Sequence, residues 1–272
     1  MITYARPAYV RRTLPHLLDT CTDRMRVWLW HNGTDEETLE VVSYYADHPK
    51  VARFHHSPEN LRLRVPTNWL WSESDAELLS KVDDDCLPEP SWVERLSRAH
   101  ADVDALGVVG SWRFFDEDFL PDVAHRKIRS LPGGHRIMEN LWVQGSGYLM
   151  KRACVDEHGL LAPRQSFTDY CIEIALAGRV NGWYFPFVHE EHLDDPRAPH
   201  SPLRTDADLL ANLPLSAQQS GVRTVAAWEE QMRRSARRLQ EASVDHADYR
   251  GARRTARRAR GRLERWLERR AG

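Results

Sequence analysis

Glu77-Leu78-Leu79-Ser80-Lys81-Val82-Asp83-Asp84-Asp85-Cys86 is the stretch on which the reading of this 272-residue chain turns. A strand-forming run, read as Glu77–Val82, ends in three successive carboxylates. In a strand, residues i and i+2 face the same way, so Asp83 and Asp85 can converge on one spot at the strand's carboxyl end. Two carboxylates that close repel each other unless a cation lies between them. Hard divalent cations such as Mg²⁺ or Mn²⁺ prefer oxygen ligands and bridge to diphosphate oxygens. The same acids would serve equally as a turn capping a helix that starts at Trp92, and spacing alone does not separate the two readings.

On either side of this stretch, short strands alternate with helices. Met1–Tyr4, Arg26–Trp30 and Val51–His55 read as strands. Tyr9–Asp19 is predicted helical, with Val10, Leu14, Leu17 and Leu18 on one face, although Pro15 removes one hydrogen bond. Asn32-Gly33 breaks the second strand, and Thr34 or Asp35 can cap a helix running to about Ala46. Thr67–Ser72 supports no more than a turn or two of helix. Pro88, Pro90 and Ser91 mark the start of a helix over Trp92–His100, and Leu106–Trp112 is a fifth strand. This β-α-β-α order implies an α/β fold with a doubly wound, mostly parallel, Rossmann-like sheet. Ligands of such sheets bind beyond the carboxyl ends of the strands, where the three aspartates lie.

The second half is less regular. Asp116–Asn140 reads as a long polar excursion, and the apolar Trp142–Met150, with Gly145 and Gly147, returns to the sheet. Thr168–Ala177 is predicted helical with Gly178 as its C-cap, followed by a strand over Val180–Phe185. Pro186–Pro202 is a loop rich in proline, histidine and acid, and from about Asp206 the pattern is helical. The expected division is a catalytic domain over 1–205, split into halves 1–112 and 113–205, and a basic helical extension over 206–272.

Composition bounds the function. No run approaches the roughly 18 apolar residues of a membrane span. Arg6, Arg11 and Arg12 interrupt the start, so no signal peptide is expected and the protein reads as cytoplasmic. Cys21, Cys86, Cys154 and Cys171 fit no zinc spacing and no dense disulfide framework, and are read as reduced and mostly buried. The net charge of -2 hides an asymmetry. Residues 221–272 hold 15 arginines against 7 acids, whereas residues 1–220 hold 23 basic against 33 acidic residues.

Several segments together resemble one family. Ile2-Thr3-Tyr4-Ala5-Arg6-Pro7-Ala8-Tyr9-Val10-Arg11-Arg12-Thr13-Leu14 is similar to the first strand and helix of the family 2 glycosyltransferases, which have the GT-A fold. His31-Asn32-Gly33-Thr34-Asp35-Glu36-Glu37-Thr38 is similar to the turn after that family's second strand. Asn60 and Asn68 fall where the family often has asparagines. Val82-Asp83-Asp84-Asp85-Cys86-Leu87-Pro88-Glu89-Pro90-Ser91-Trp92-Val93 is close to the segment carrying its DxD motif. In order and spacing the matches cover about 190 residues.

The resemblance implies a nucleotide-diphospho-sugar donor, with a UDP-sugar the expected one, held by Thr3, Arg6, Asn32, Asn60, Asp83, Asp84 and Gly145. His31 departs from the pattern, because the family commonly has there an aspartate that recognises the base. Asp85 would be a direct ligand of Mn²⁺ or Mg²⁺, the metal acting as a Lewis acid on the leaving diphosphate. Glycines in Trp142–Met150 would let backbone lie close to the donor sugar; a β-bulge would also explain them. Asp169 matches the family's catalytic base, which an inverting transfer needs to take the acceptor's proton, although Thr168 replaces the acid that usually precedes it. From its position alone, Asp169 reads first as an N-cap or first-turn acid. His189 or His192 would complete the metal set.

Ten arginines lie between Arg250 and Arg270. With Leu263, Trp266 and Leu267 at helical spacing, they suit a solvated helix packed on the catalytic domain or on a second subunit. They also suit a peripheral contact with anionic lipid at the inner face of the membrane. Trp228 and Met232, with Arg233, Arg234, Arg237 and Arg238, suggest a preceding helix of the same kind. Nucleic acid is not the expected partner, since aromatic interleaving is sparse and the acidic body repels phosphate. Two rivals remain. Nucleotidyl transfer would need a glycine-and-basic motif near the start, and none is present. The alternative outside enzymology is a catalytically degenerate GT-A-like binding protein that docks at membranes through its basic tail. The acceptor is not legible.

Overall fold

The computed structural model describes residues 1–257, 259 and 261. In chain order the elements begin with β1 (Ile2–Thr3), α1 (Pro7–Thr20), β2 (Val27–Asn32), α2 (Glu36–Tyr44) and β3 (Val51–Ser57). Next come α3 (Arg64–Glu73), β4 (Leu78–Leu79), β5 (Cys86–Pro88), α4 (Trp92–Asp102), β6 (Leu106–Gly110) and α5 (Pro121–Ala124). The middle of the chain supplies β7 (Ile128–Ser130), β8 (Arg136–Glu139), β9 (Tyr148–Lys151), α6 (Arg152–His158), α7 (Phe167–Leu176), β10 (Val180–Tyr184) and β11 (Glu190–His192). The last elements are α8 (Asp206–Ala211), α9 (Leu215–Ser220) and α10 (Val225–Glu241). Residues 251–257 are again helical. The chain falls into two compact units, one of Met1–Arg113 with Lys127–Glu191, the other of Phe114–Arg126 with the chain from His192 onward.

The first unit is α/β. Its β1-β2-β3 sheet is wholly parallel, with Ile2 opposite Trp30 and Trp30 opposite His55. A six-stranded sheet follows in the order β4-β9-β6-β10-β8-β7, where β6 and β10 run parallel and the other pairs are antiparallel. A parallel bridge between Ile2 and Asp83 links the ends of the two sheets. The core gathers Val10, Leu14, Leu29, Leu96, Leu106 and Val109, all essentially inaccessible. In α1, four buried aliphatic side chains, Val10, Leu14, Leu17 and Leu18, contribute roughly 1.5–3 kcal/mol each. Together they exceed the ~3 kcal/mol that an internal proline such as Pro15 costs.

Several elements differ from the sequence-based expectation: the sheets mix parallel and antiparallel pairs where a mostly parallel sheet is expected, Asp116–Asn140 contains α5, β7 and β8, and Pro186–Pro202 contains β11. The helix expected to span a turn or two near Thr67–Ser72 is the ten-residue α3. Its Trp69 ring sits 4.8 Å from Trp28 and 5.3 Å from Trp30, and tertiary packing lengthens a helix whose own periodicity is weak. The strand expected over Glu77–Val82 pairs only at Leu78 and Leu79. Past Leu79, the chain is held by separate contacts, such as the Gly147 N–H donating to the Lys81 carbonyl at 2.9 Å. All four cysteines are free and buried.

The second unit is organised around Arg197. Its guanidinium donates to both carboxylate oxygens of Asp118, at 2.9 and 2.8 Å, and to those of Asp195, at 3.0 and 2.7 Å. The Gln240 amide donates to the Asp118 carbonyl, and its oxygen accepts the Leu120 N–H. Trp228, Met232, Ala236 and Gln240 form the buried stripe of α10 at i, i+4 spacing. On its exposed side Arg233, Arg234 and Arg237 each face a glutamate one turn away, namely Glu229, Glu230 and Glu241. Leu263, Trp266 and Leu267 lie outside the described residues. Among the described residues no helix is long and apolar enough to cross a membrane.

Candidate active site

The three aspartates sit where β1, α1 and the end of the β4 run meet. The Tyr4 N–H donates to Asp84 Oδ2 at 3.2 Å, and the Thr13 hydroxyl to the Asp84 carbonyl at 3.0 Å. The Arg6 guanidinium lies 3.1 Å from Asp85 Oδ2 and 3.6 Å above the Tyr9 ring. The Cys86 thiol donates to Asp85 Oδ1 at 3.2 Å. Lys81 forms an ion pair with Asp83 Oδ1.

Behind them lies the glycine segment. The Asp83 N–H donates to Ser146 Oγ at 3.1 Å, and Ser146 Oγ in turn donates to Glu190 Oε2 at 3.2 Å. Glu190 is 2% exposed, and its Oε1 has no hydrogen-bond partner. Gly147 has φ +60°, and a Cβ there would overlap the Glu190 carboxylate. Gly145 meets only the end of Lys81, at 3.8 Å from a built Cβ. Conformation therefore requires glycine at 147, where Glu190 needs the room. Gln144 accepts from the Trp183 indole at 3.1 Å and donates to the Ser111 carbonyl at 3.2 Å, which anchors the start of the segment.

This concentration of carboxylates is electrostatically unsatisfied. Burial, then the charge of Asp85, pushes Asp84 up to about 7 against the opposing pull of Arg6. Burial, then Asp83, pushes Glu190 up to about 8, with Arg113 and the Ser146 hydrogen bond opposing. Burial, then Glu190, drives the Cys86 thiol well up, so it is no thiolate ligand as it stands. The aspartate oxygens, beside a buried carboxylate with an orphaned oxygen, fit a hard divalent cation in their donor chemistry.

The other expected site residues divide. Thr3 is buried with its hydroxyl 3.0 Å from His31 Nδ1 and 3.4 Å from the Trp30 carbonyl, both within the protein. His31 is inaccessible, and burial lowers its pKa. Asn32 Oδ1 accepts from the Trp30 indole and the Leu61 N–H, and its amide donates to the Arg62 carbonyl. Asn60 is exposed and accepts the Arg62 N–H at 2.9 Å. Both asparagines thus shape the loop after β3. Tyr4 lies over Gly33, whose φ of +90° turns the chain after β2. Asp169 occupies the first turn of α7, where Ser166 Oγ accepts its N–H and donates to its carboxylate, both at 3.0 Å. One residue of that helix, Phe167, stacks on Tyr148 of β9 at 4.4 Å. His189 is half-buried; its N–H donates to the Glu89 carboxylate at 2.9 Å, and its carbonyl accepts the Glu89 N–H. His192 is buried in β11, on the face it shares with Glu190 and opposite to that of His189 and Glu191.

Sequence reasoning missed Ser146, Glu190 and Lys81 as members of the site. Glu190 is one residue from His189, inside a segment already singled out. Only the pairing of β11 with β5 marks that run as a strand.

No curated protein sequence matches the chain. Among solved structures, the mannosyltransferase PcManGT from Pyrobaculum calidifontis, in complex with GDP-Man and Mn²⁺, is similar over 96% of this chain and 78% of its own. The TM-score is 0.59 at 16% identity. S. aureus TarS 1-349 is similar over 91% of this chain and 75% of its own, with a TM-score of 0.51 and 12% identity. GalNAc-T7 with UDP, GalNAc and Mn²⁺ is similar over 70% of this chain and 42% of its own, with a TM-score of 0.54 and 11% identity. These likenesses carry the GT-A fold. The family model Glycosyl transferase family 2 matches residues 1–155, which span β1 through β9 and the whole aspartate cluster. On that match and that fold, the chain belongs to glycosyl transferase family 2.

Proposed function

We propose that the protein transfers a sugar, with inversion, from a nucleoside diphosphate donor to a hydroxyl acceptor, in a reaction dependent on Mn²⁺ or Mg²⁺. The observation that carries this is the grouping of Asp83, Asp84, Asp85 and Glu190, in which burial first, and neighbouring carboxylates second, raise Asp84 to about 7 and Glu190 to about 8. Asp83 and Asp85 hold the cation and the donor diphosphate. His192 is the stronger candidate for a nitrogen ligand, because it shares the Glu190 face of β11 and His189 does not. When bound, the cation neutralises charge on the leaving diphosphate. Arg6, now on Asp85, is placed to turn its guanidinium to the diphosphate. Thr3 and Asn32 act from beneath, by fixing the ends of β1 and β2.

Asp169 is the acceptor's base in this reading. It lies in the first turn of α7, where Ser166 donates to its carboxylate and orients it. The donors of two similar structures differ in base, GDP in one and UDP in the other. A UDP-sugar is the first choice here and a GDP-sugar the second. The membrane-docking alternative has less support, because three arginines of α10 already face glutamates.

The test is hydrolysis of a panel of UDP- and GDP-sugars with and without Mn²⁺, with the released sugar's anomer read by NMR. Metal-dependent release of one donor's nucleotide, with inverted configuration, is the expected result, and Asp169→Asn should depress transfer to acceptor at least about a hundredfold. Retained configuration would exclude the inverting reading.

A further inference from the structure

Asp83 ends a run that is barely strand. Pairing stops at Leu79, and the carboxylate-bearing residues beyond it lie outside any ladder. The position of Asp83 must therefore be fixed some other way. Its carbonyl accepts the Cys86 N–H within the turn, and Lys81 pairs with its carboxylate. Beyond the turn its backbone meets Ile2 through a bridge and the hydroxyl of Ser146, which alone among the described residues holds its N–H through a side chain.

A serine hydroxyl has one proton to give. Ser146 accepts the Asp83 N–H at 3.1 Å and directs its own proton to Glu190 Oε2 at 3.2 Å. Glu190 thereby decides which way the Ser146 lone pairs point. Three features show that Glu190 is built into this position. It is 2% exposed. Its backbone N–H is tied to the Trp112 carbonyl at 3.1 Å. Gly147 leaves out the Cβ that would displace its carboxylate. An apolar side chain would fill the same space without burying an unpaired acceptor, the Glu190 Oε1, so packing does not account for a carboxylate there.

We propose that Glu190 is a positioning residue for the donor site: through Ser146 it fixes the backbone, and so the carboxylate, of Asp83. The inference rests on the reading of Asp83 as a holder of cation and diphosphate. In this role Glu190 acts through Ser146 rather than on the donor itself. It sets where one ligand stands, and misplacement of a ligand weakens binding more than it slows the chemical step.

The test uses the full chain and four variants: Ser146→Ala, Glu190→Ala, their double, and Glu190→Gln. Calorimetry measures the Kd of UDP and of GDP in the presence of Mn²⁺, donor hydrolysis supplies KM and kcat, and thermal unfolding serves as the control for folding. Each alanine variant is expected to weaken nucleotide binding by about tenfold, the worth of one charge-assisted hydrogen bond, with KM rising more than kcat falls. The double variant should be no worse than the weaker single, because both break one relay. Glu190→Gln keeps an acceptor for the Ser146 hydroxyl and should restore Kd to within about threefold of wild type. Multiplying effects, about a hundredfold in the double, would overturn the relay. So would a Ser146→Ala protein with Kd and KM unchanged. Should Glu190→Ala fail to fold, Ser146→Ala alone and combined with Glu190→Gln carry the same comparison, and added loss in the combination overturns it. A wild type that binds neither nucleotide with Mn²⁺ overturns the donor-site reading itself, and this inference with it.

Discussion

Replacing Gly147 by alanine tests the geometry on which the site is built. Two costs add. The residue has φ +60°, a left-handed conformation that costs an alanine roughly 1–2 kcal/mol. The new methyl also runs into the Glu190 carboxylate, whose Oε2 is bonded to Ser146 and whose main chain is pinned to Trp112. Overpacking of a fixed neighbour typically costs about 1–3 kcal/mol. The sum, roughly 2–5 kcal/mol, corresponds to a fall in Tm of about 4–20 °C for a chain of this size. Gly145→Ala is the internal control, since its Cβ meets only the flexible end of Lys81 at 3.8 Å. It should stay within about 0.5 kcal/mol. The assay is thermal unfolding of both variants, repeated in a Glu190→Ala background, where Gly147→Ala should recover the overpacking part of its loss. Equal Tm values for the two glycine variants would refute the reasoning. An unchanged cost after removal of Glu190 would show that the carboxylate is not what glycine accommodates.

Two further outcomes follow from buried charge. His100 lies 3% exposed on α4 with its ring 3.0 Å from the Leu149 carbonyl, and burial lowers it to about 4. Because the unfolded imidazole titrates near 6.5, the folded state resists a proton that the unfolded state accepts. Stability is thus complete above pH 6.5 and lost as pH falls toward 4, by about 2 kcal/mol at pH 5; His100→Gln should flatten that slope in denaturant titrations at pH 5 and 7. Arg197→Ala should strand the carboxylates of Asp118 and Asp195, which are 2% and 1% exposed at their side chains, and cost about 3–5 kcal/mol. Arg197→Lys should recover little of it, since one ammonium cannot span two bidentate partners; urea unfolding of the three proteins reads the difference.

Much of the fold was legible because it lay in local patterns. The stripe of Val10, Leu14, Leu17 and Leu18, the cap at Asp35 and the strand over residues 27–32 all declare themselves within a few residues. The extent of α3 was not, since it depends on Trp69 meeting Trp28 and Trp30 about 40 residues away in the chain. The aspartate cluster was legible as a motif, and the resemblance of the flanking segments pointed to the family. What the sequence hid was the support beneath it. Ser146 and Glu190 lie 63 and 107 positions from Asp83, and no periodicity joins them. The two glycines looked alike in sequence, whereas only backbone angle and a buried neighbour distinguish Gly147 from Gly145. Asn32 and Asn60, expected at the donor, bond to backbone of the loop after β3, since an amide can hold a loop as well as a ligand.

The most direct measurement of the central claim is the Kd of UDP and GDP for wild type and Asp85→Asn, by calorimetry, with and without Mn²⁺. The account expects one nucleotide to bind wild type only when Mn²⁺ is present. It expects Asp85→Asn to lose that binding by on the order of a hundredfold, about 2.7 kcal/mol, while its Tm stays at or above that of wild type. Nucleotide binding that is indifferent both to Mn²⁺ and to the loss of the Asp85 charge would contradict the assignment of this cluster as the site of a metal-dependent transferase.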